Sequence, residues 1–258
     1  MRFLQAGEPG STNVLVLAHA FPVGARLFGP QLGAFAGWRV IAPAMPGFDG
    51  SARLDQPSID AYARQVLGLL DELGVGHAVV GGVSMGGHFT FAMLRQAPER
   101  VVGAVFADTR SAADTEEALA ARRQLLQVAA EAGALGVAAD MVPKLLGPTT
   151  QARRPAVVAA VRGWIEDQDV AGITDAITVL MTRPDSTPML GSIRVPSLVV
   201  VGEEDALAPV AEMERMAAAI PGATFVTIAG AGHLANLEDP GAFNNALQDF
   251  LEAIRIRN

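Results

Sequence analysis

The fold is decided by the stretch Val79-Val80-Gly81-Gly82-Val83-Ser84-Met85-Gly86-Gly87, an apolar β-branched run that breaks at glycines around one serine. It predicts a strand, a sharp turn and a helix. The five residues from Gly82 to Gly86 fit G-x-S-x-G, a pattern that holds the serine hydroxyl out at the edge of a sheet. The two outer glycines are needed because the turn brings their backbones too close together for side chains. Ser84 is therefore a candidate nucleophile.

Around this stretch, short apolar strands alternate with amphipathic helices. Their alternation predicts an α/β fold with a mostly parallel sheet and right-handed crossovers. The predicted strands are 14–18, 39–42, 78–80, 101–107, 197–201 and 224–228. The predicted helices lie near 27–34, from 58 or 60 to 73, directly after Ser84, at 210–220 and at about 240–254.

The alternation of strands and helices stops after Asp108. Residues 109–190 contain no convincing strand, and they read as helices rich in Ala, Leu, Arg and Glu. We therefore expect a catalytic core formed by residues 1–108 and 191–258, with a helical cap inserted at 109–190 over the catalytic edge of the sheet. The candidates for the underside of the cap are Leu119, Leu125, Leu126, Met141, Leu145, Leu146, Trp164, Ile165, Ile173, Ile177, Leu180 and Met181.

Composition excludes several classes of partner. The net charge is −8 and no basic run is present, which argues against a nucleic acid or an acidic membrane. The chain has no cysteine, and its four histidines lack zinc-ligand spacing, so we expect neither a metal nor another cofactor. Because the N-terminal residues do not resemble a signal peptide and no apolar stretch reads as a membrane span, we expect a cytoplasmic protein.

Two more candidates lie just past predicted strands: Asp205 ends Val-Gly-Glu-Glu-Asp, and His233 ends Gly-Ala-Gly-His. Loops at the carboxyl ends of parallel strands gather at one edge, so these residues can converge on Ser84. Over nearly the whole chain, this set resembles the α/β-hydrolase superfamily, whose chain order is nucleophile, acid, histidine. The resemblance is closest to small bacterial carboxylesterases, with haloperoxidase-like and enol-lactonase-like relatives nearby.

The resemblance implies an α/β-hydrolase fold and a role for each residue. Ser84 would attack an acyl carbon, His233 would take its proton, and Asp205 would orient the imidazole. The oxyanion hole would consist of the backbone N–H groups of Phe21 and Met85. The expected protein is a carboxylic ester hydrolase, acting on small-molecule esters with short to medium acyl chains, as a monomer or homodimer.

Other assignments remain open. Asp108 ends the strand before the cap, a position from which some relatives supply the acid, and Glu203 and Glu204 lie beside Asp205. We expect His19 to hold the oxyanion loop through hydrogen bonds, and His77 and His88 to have no catalytic role.

Two arginine pairs also have two readings. Arg122-Arg123 and Arg153-Arg154 are expected to form a solvated surface. A carboxylate-binding clamp is the other reading, and it would favour an acidic lactone as substrate.

The chain departs from the superfamily pattern at three positions. Ala20 and Asp49 stand where relatives often have glycine, and Ala44 stands where they often have aspartate. Ala20 should stiffen the oxyanion loop without removing the Phe21 donor. Asp tolerates positive φ better than most residues, so the turn at Asp49 should survive.

Three other functions share this pattern. A haloperoxidase-like perhydrolase would let peroxide compete with water at the acyl-enzyme, and an enol-lactonase or C–C bond hydrolase would act on a specific metabolite. A ligand-binding receptor could use the same fold without turnover. An epoxide hydrolase or haloalkane dehalogenase is disfavoured because those relatives have aspartate where this chain has Ser84.

Overall fold

The computed structural model describes residues 1–8 and 10–255 as a seven-stranded sheet flanked by helices. The strands are β1 (Phe3–Gly7), β2 (Val14–Ala18), β3 (Arg39–Pro43), β4 (Ala78–Val83), β5 (Val101–Ala107), β6 (Ser197–Gly202) and β7 (Thr224–Ile228). The helices are α1 (Ile59–Glu72), α2 (Met85–Gln96), α3 (Glu116–Leu145), α4 (Pro148–Arg153), α5 (Pro155–Glu166), α6 (Val170–Met181), α7 (Val210–Ala219), α8 (Ala235–Glu238) and α9 (Pro240–Arg255).

The strands lie in the order β1-β3-β2-β4-β5-β6-β7. Only β1 is antiparallel to its neighbour, and every other described pair is parallel. The predicted α/β class with a mostly parallel sheet is confirmed. The continuous apolar runs of β2, β3 and β4 are buried throughout, as expected for strands covered on both faces. Strand β1 was not predicted, because it is a partly exposed edge strand without such a run.

The helix predictions are right except for one. Helix α1 begins after Ser58, whose side chain accepts a hydrogen bond from the Ala61 N–H, and it ends before Gly74. The helix predicted near 27–34 is wrong: a 3-10 helix covers Ala25–Phe28, and turns follow. Pro30 lacks an N–H for helix propagation, and Gly33 takes a φ of 75°, so no α-helix forms there.

The helical insertion, residues 109–190, contains α3 to α6 and no strand. Helix α3 packs against α5 and α6, and its path breaks at Gly133, where φ is 62°. By length and composition alone, α3 could cross a membrane, contrary to the expectation that no apolar stretch reads as a membrane span. In this fold, α3 instead forms part of the wall of a cavity at the sheet edge.

The insertion is anchored to the loop that follows β3. Gly172 of α6 lies against Gly47 so closely that a Cβ on Gly172 would be 2.1 Å from the Gly47 carbonyl oxygen. Beside this contact, the Asp49 N–H donates to Gln168 Oε1 at 2.9 Å, and Gln168 Nε2 donates to Asp49 Oδ1 at 3.0 Å. The position of α6 therefore depends on two glycines and a pair of side-chain hydrogen bonds.

Candidate functional site

Ser84 lies in the turn between β4 and α2, with φ 57° and ψ −109°. A positive φ is strained for a residue with a Cβ, so the surrounding structure must hold it. The Ser84 N–H donates to the Ala107 carbonyl at 2.9 Å, and the Thr109 hydroxyl donates to the Ser84 carbonyl at 2.8 Å. Bonds to β5 and the residues after it therefore fix the turn on the sheet edge.

The glycines around Ser84 are required by close packing. A Cβ on Gly86 would be 1.9 Å from the Ala18 carbonyl oxygen, and one on Gly82 would be 2.4 Å from the same atom. A Cβ on Gly82 would also lie 2.6 Å from the Cα of Gly86. The physical reason given for the G-x-S-x-G pattern therefore applies to this turn.

His233 and Asp205 are brought together by the loops after β7 and β6. Nδ1 of His233 lies 2.8 Å from Oδ2 and 2.9 Å from Oδ1 of Asp205, and both residues are buried. The carboxylate also accepts hydrogen bonds from the backbone N–H groups of Leu207 and Ala208. Because a carboxylate can only accept, Nδ1 carries the hydrogen, and Nε2 is left as the basic nitrogen.

The His233 loop is held by a residue that sequence reasoning missed. Glu238 is buried, and its Oε1 accepts hydrogen bonds from the N–H groups of Gly232 at 3.0 Å and Leu234 at 3.2 Å. Its Oε2 accepts the Gly147 N–H of the insertion at 2.8 Å. No sequence motif predicts this role, because the three N–H groups come together only in the folded chain.

Among the described residues, no hydrogen bond joins Asp108 to His233. Its Oδ1 accepts the Gly202 N–H at 2.8 Å, and its Oδ2 accepts the Ala235 N–H at 3.3 Å. Burial, with the charge of Asp205 as the next cause, raises the pKa of Asp108 well above its usual range. The geometry thus pairs His233 with Asp205. Asp108 instead accepts hydrogen bonds from the backbone just before Asp205 and just after His233.

The two N–H groups predicted for the oxyanion hole lie at the same edge. Within residues 1–8 and 10–255, neither the Phe21 nor the Met85 N–H donates to a protein acceptor. Met85 is the first residue of α2, where the helix dipole favours negative charge. Both N–H groups are thus unpaired within the described residues, and the oxyanion hole stays a prediction.

The His19 ring is hydrogen-bonded to the backbone next to Phe21. Its Nδ1 donates to the Ala20 carbonyl at 3.0 Å, and its Nε2 accepts the Met45 N–H at 3.1 Å. Burial lowers its pKa, which favours the neutral imidazole that this pair of bonds needs. His19 has the loop-holding geometry expected from the sequence.

A cavity of about 330 Å³ joins these groups to the insertion. Ser84, His233 and Phe21 line it from the sheet edge. Four of the twelve apolar candidates line it from the insertion: Leu125, Met141, Leu145 and Leu180. Among the described residues, no group of three or more His, Asp or Glu side chains is placed to hold a metal ion.

The chain is similar to known proteins of one family. A family model described as "Alpha/beta hydrolase family" matches residues 15–246. The chain belongs to that family. The hydrolase is similar to a solved thermophilic esterase from Thermogutta terrifontis with malate bound, at 33% identity and a TM-score of 0.92, covering 98% of this chain and 93% of the other.

Two enol-lactonases are also similar to the hydrolase. The structure of the enol-lactonase from Burkholderia xenovorans LB400 matches at 27% identity and a TM-score of 0.89, over 97% of this chain and 96% of the other. The 3-oxoadipate enol-lactonase 2 of Acinetobacter baylyi is 28% identical over 190 residues, which are 74% of this chain and 69% of that protein. The suspected superfamily and its relatives are thereby confirmed.

The structure accommodates the three residues that depart from the superfamily pattern. Ala20 is fully buried, and its carbonyl accepts from His19. Asp49 takes a φ of 48°, as expected, and its Oδ2 accepts the Ala25 N–H at 2.6 Å. Ala44 is buried, and its N–H donates to the Arg2 carbonyl.

The prediction that Arg122-Arg123 form a solvated surface is wrong for Arg122. Arg122 is partly buried, contacts Asp114 and lines the cavity, whereas Arg123 is exposed. The helix turns successive side chains by about 100°, so adjacent arginines face different surroundings. Both members of the second pair are exposed, and Arg154 donates to the Glu238 carbonyl.

Proposed function

We propose that the hydrolase is a serine carboxylesterase that cleaves short- to medium-chain carboxylic esters through an acyl-enzyme. The observation that carries this proposal is the pair of contacts between His233 Nδ1 and Asp205, in a histidine that lines the same cavity as Ser84. An oriented imidazole near a serine on a strained turn is the arrangement that activates a hydroxyl at neutral pH. The cavity volume suits a small ester.

In the first half of the reaction, Ser84 Oγ attacks the acyl carbon while His233 Nε2 takes the hydroxyl proton. The N–H groups of Phe21 and Met85 stabilise the oxyanion of the tetrahedral intermediate, and Asp205 stabilises the imidazolium. The bond to the alcohol oxygen then breaks, and the alcohol leaves with the proton from His233.

In the second half, a water molecule replaces the alcohol. His233 takes a proton from the water as its oxygen attacks the acyl carbon. The bond to Ser84 Oγ breaks, the carboxylic acid is released, and the proton returns to the serine oxygen. The reaction consumes one ester and one water and restores the enzyme.

The test is initial rates on p-nitrophenyl acetate, butyrate, octanoate and palmitate. We expect the wild type to cleave the shorter esters and Ser84→Ala to lose activity by roughly 10⁶-fold, as in other serine hydrolases. Ser192→Ala, which changes an exposed serine outside the cavity, is the matched control and should keep full activity. Equal rates for wild type and Ser84→Ala would overturn the proposal.

A second candidate, lactone hydrolysis, is favoured by the similarity to two enol-lactonases. A lactone is an internal ester, so the same residues would open it. Near-absence of turnover on all four esters would favour an enol-lactonase or a C–C bond hydrolase, and fast lactone opening would then indicate the lactonase. Peracetate formed from acetate and peroxide at a rate comparable to ester cleavage would indicate a perhydrolase, and tight binding without product a receptor.

A further inference from the structure

One end of the cavity carries a cluster of arginines that ester cleavage itself does not use. Arg110 follows β5, Arg122 belongs to α3, and Arg183 follows α6, yet all three line the cavity that contains Ser84. Guanidinium groups stay charged at any physiological pH. Three positive charges from distant parts of the chain thus line the cavity that contains the candidate nucleophile.

Their charges are only partly neutralised by the protein. Asp114 contacts both Arg122 and Arg183, with Arg183 Nη2 at 2.7 Å from its Oδ1. Burial opposes ionisation of Asp114, but the hydrogen bonds from the two arginines outweigh it and lower its pKa to about 2. One carboxylate therefore serves two guanidinium groups, which leaves one positive charge in this cluster. The other charged residues that line the cavity are the ion pair Asp140–Lys144 and Asp108, whose pKa is raised by burial. Arg110 has its own partner, Glu212, at 2.9 Å.

The three arginines differ in what they can reach. The Arg183 side chain is 3% exposed, and its Nη1 and Nη2 donate to the carbonyls of Leu180 and Ala112. Its Nε is buried without a protein acceptor among the described residues. Arg183 is therefore a fixed charge in the wall, whereas Arg122, at 23% exposure, is the more accessible of the two guanidinium groups that contact Asp114.

His88 adds a neutral polar group to the same end. It lies one helical turn after Ser84 and lines the cavity, and within the described residues neither ring nitrogen has a protein hydrogen-bond partner. Burial lowers its pKa well below 6.5, and Arg183, Arg122 and Arg110 lower it further. The imidazole thus offers an N–H donor, unused within the described residues, in the same cavity as the nucleophile and the positive charges.

We propose that this end of the cavity binds the carboxylate of an anionic substrate, so that the preferred substrates are esters or lactones bearing a carboxylate. The proposal rests on the proposed hydrolase function and specifies its substrate class. A monoanion would match the one uncompensated charge, and a carboxylate pairs with guanidinium through two parallel hydrogen bonds. Arg122 and His88 would contact the carboxylate, and Arg183 would supply the fixed charge.

The test compares substrates that carry a carboxylate with neutral substrates of similar shape. For the acyl side, mono-p-nitrophenyl glutarate is compared with p-nitrophenyl pentanoate; for the alcohol side, 4-(butanoyloxy)benzoate is compared with its methyl ester. We expect wild type to prefer the anion in at least one pair, and added salt to reduce that preference. Arg122→Gln should lower the ratio of kcat/KM values, anionic over neutral, by about tenfold or more. Arg123→Gln, the exposed neighbour, should leave the ratio unchanged.

Binding of glutarate, measured by calorimetry, tests the subsite without turnover. We expect Arg122→Gln to weaken binding by about tenfold or more and Arg123→Gln to have no effect. Neutral esters cleaved by wild type but not by Ser84→Ala, with no anionic preference and no glutarate binding, would overturn the subsite while the hydrolase function stands. If no ester is cleaved but glutarate binds through Arg122, the hydrolase proposal fails and the anion site remains.

Discussion

The cavity has two walls, and they are built in different ways. At the sheet edge, Ser84, Phe21 and His233 are positioned by backbone turns and close-packed glycines. On the insertion side, the wall consists of long side chains from helices, such as Leu125 and Arg122 of α3. The first wall holds its groups through the backbone, and bond making requires precise positioning of the reacting atoms. The second can change its side chains without moving the backbone, and we expect it to set substrate choice.

The largest effect that separates the walls should come from Asp205 in the sheet-edge wall. We expect Asp205→Asn to lower kcat on short p-nitrophenyl esters by about 10⁴-fold, because the amide would favour the wrong imidazole tautomer. That loss corresponds to about 5 kcal/mol of transition-state stabilisation. Steady-state kinetics at pH 7.5 measures it.

Asp108→Asn is the matched control, since it changes a second buried carboxyl at the same edge. An amide oxygen still accepts the Gly202 N–H, so we expect a loss of about tenfold or less. If Asp108→Asn loses as much as Asp205→Asn, or more, Asp205 is not the sole orienting acid.

The pH dependence of stability provides a second readout for Asp108. Its pKa is raised in the native state, so the group contributes stability below the unfolded pKa of about 3.9, and this contribution is lost as the pH rises towards the native pKa. Asparagine does not titrate. The free energy of unfolding of Asp108→Asn relative to wild type should therefore rise between pH 4 and pH 7, as urea titrations would show.

The two walls also differ in what sequence reasoning could predict. Ser84 and its glycines form a local motif, and the strands before Asp205 and His233 are apolar runs whose order fixes where they end. Only folding shows that Glu238 meets Gly147 or that Arg122, but not Arg123, faces the cavity. Such contacts depend on how elements far apart in the sequence pack, which hydrophobic periodicity does not encode.

A smaller effect should follow from adding one methyl group under the nucleophile turn. In Gly86→Ala, the new Cβ would lie 1.9 Å from the Ala18 carbonyl oxygen, so α2 must move away from β2. We expect a loss of about 3 kcal/mol in unfolding free energy, together with a loss of esterase activity. Urea unfolding and ester kinetics measure the two effects.

Gly68→Ala provides the comparison for Gly86→Ala, because a Cβ there meets no atom within 4 Å in the middle of α1. It should stabilise the protein by about 0.5 to 1 kcal/mol, as alanine normally does in an exposed helix. If both alanine variants behave alike, the sheet-edge wall is not held by the glycine contacts described.

The smallest effect should come from a glycine-to-alanine change on the insertion side of the cavity. In Gly172→Ala, the Cβ would lie 2.1 Å from the Gly47 carbonyl oxygen, which forces α6 away from the loop after β3. We expect a stability loss of about 1 to 2 kcal/mol, because α6 can shift where the sheet cannot. KM should rise while kcat stays within about threefold, since Ser84 and His233 do not depend on α6. Gly163→Ala, whose Cβ meets no atom within 4 Å, should change neither constant. A fall in kcat as large as that of Gly86→Ala would mean that the insertion positions the reacting groups, and the division between the two walls would then be wrong.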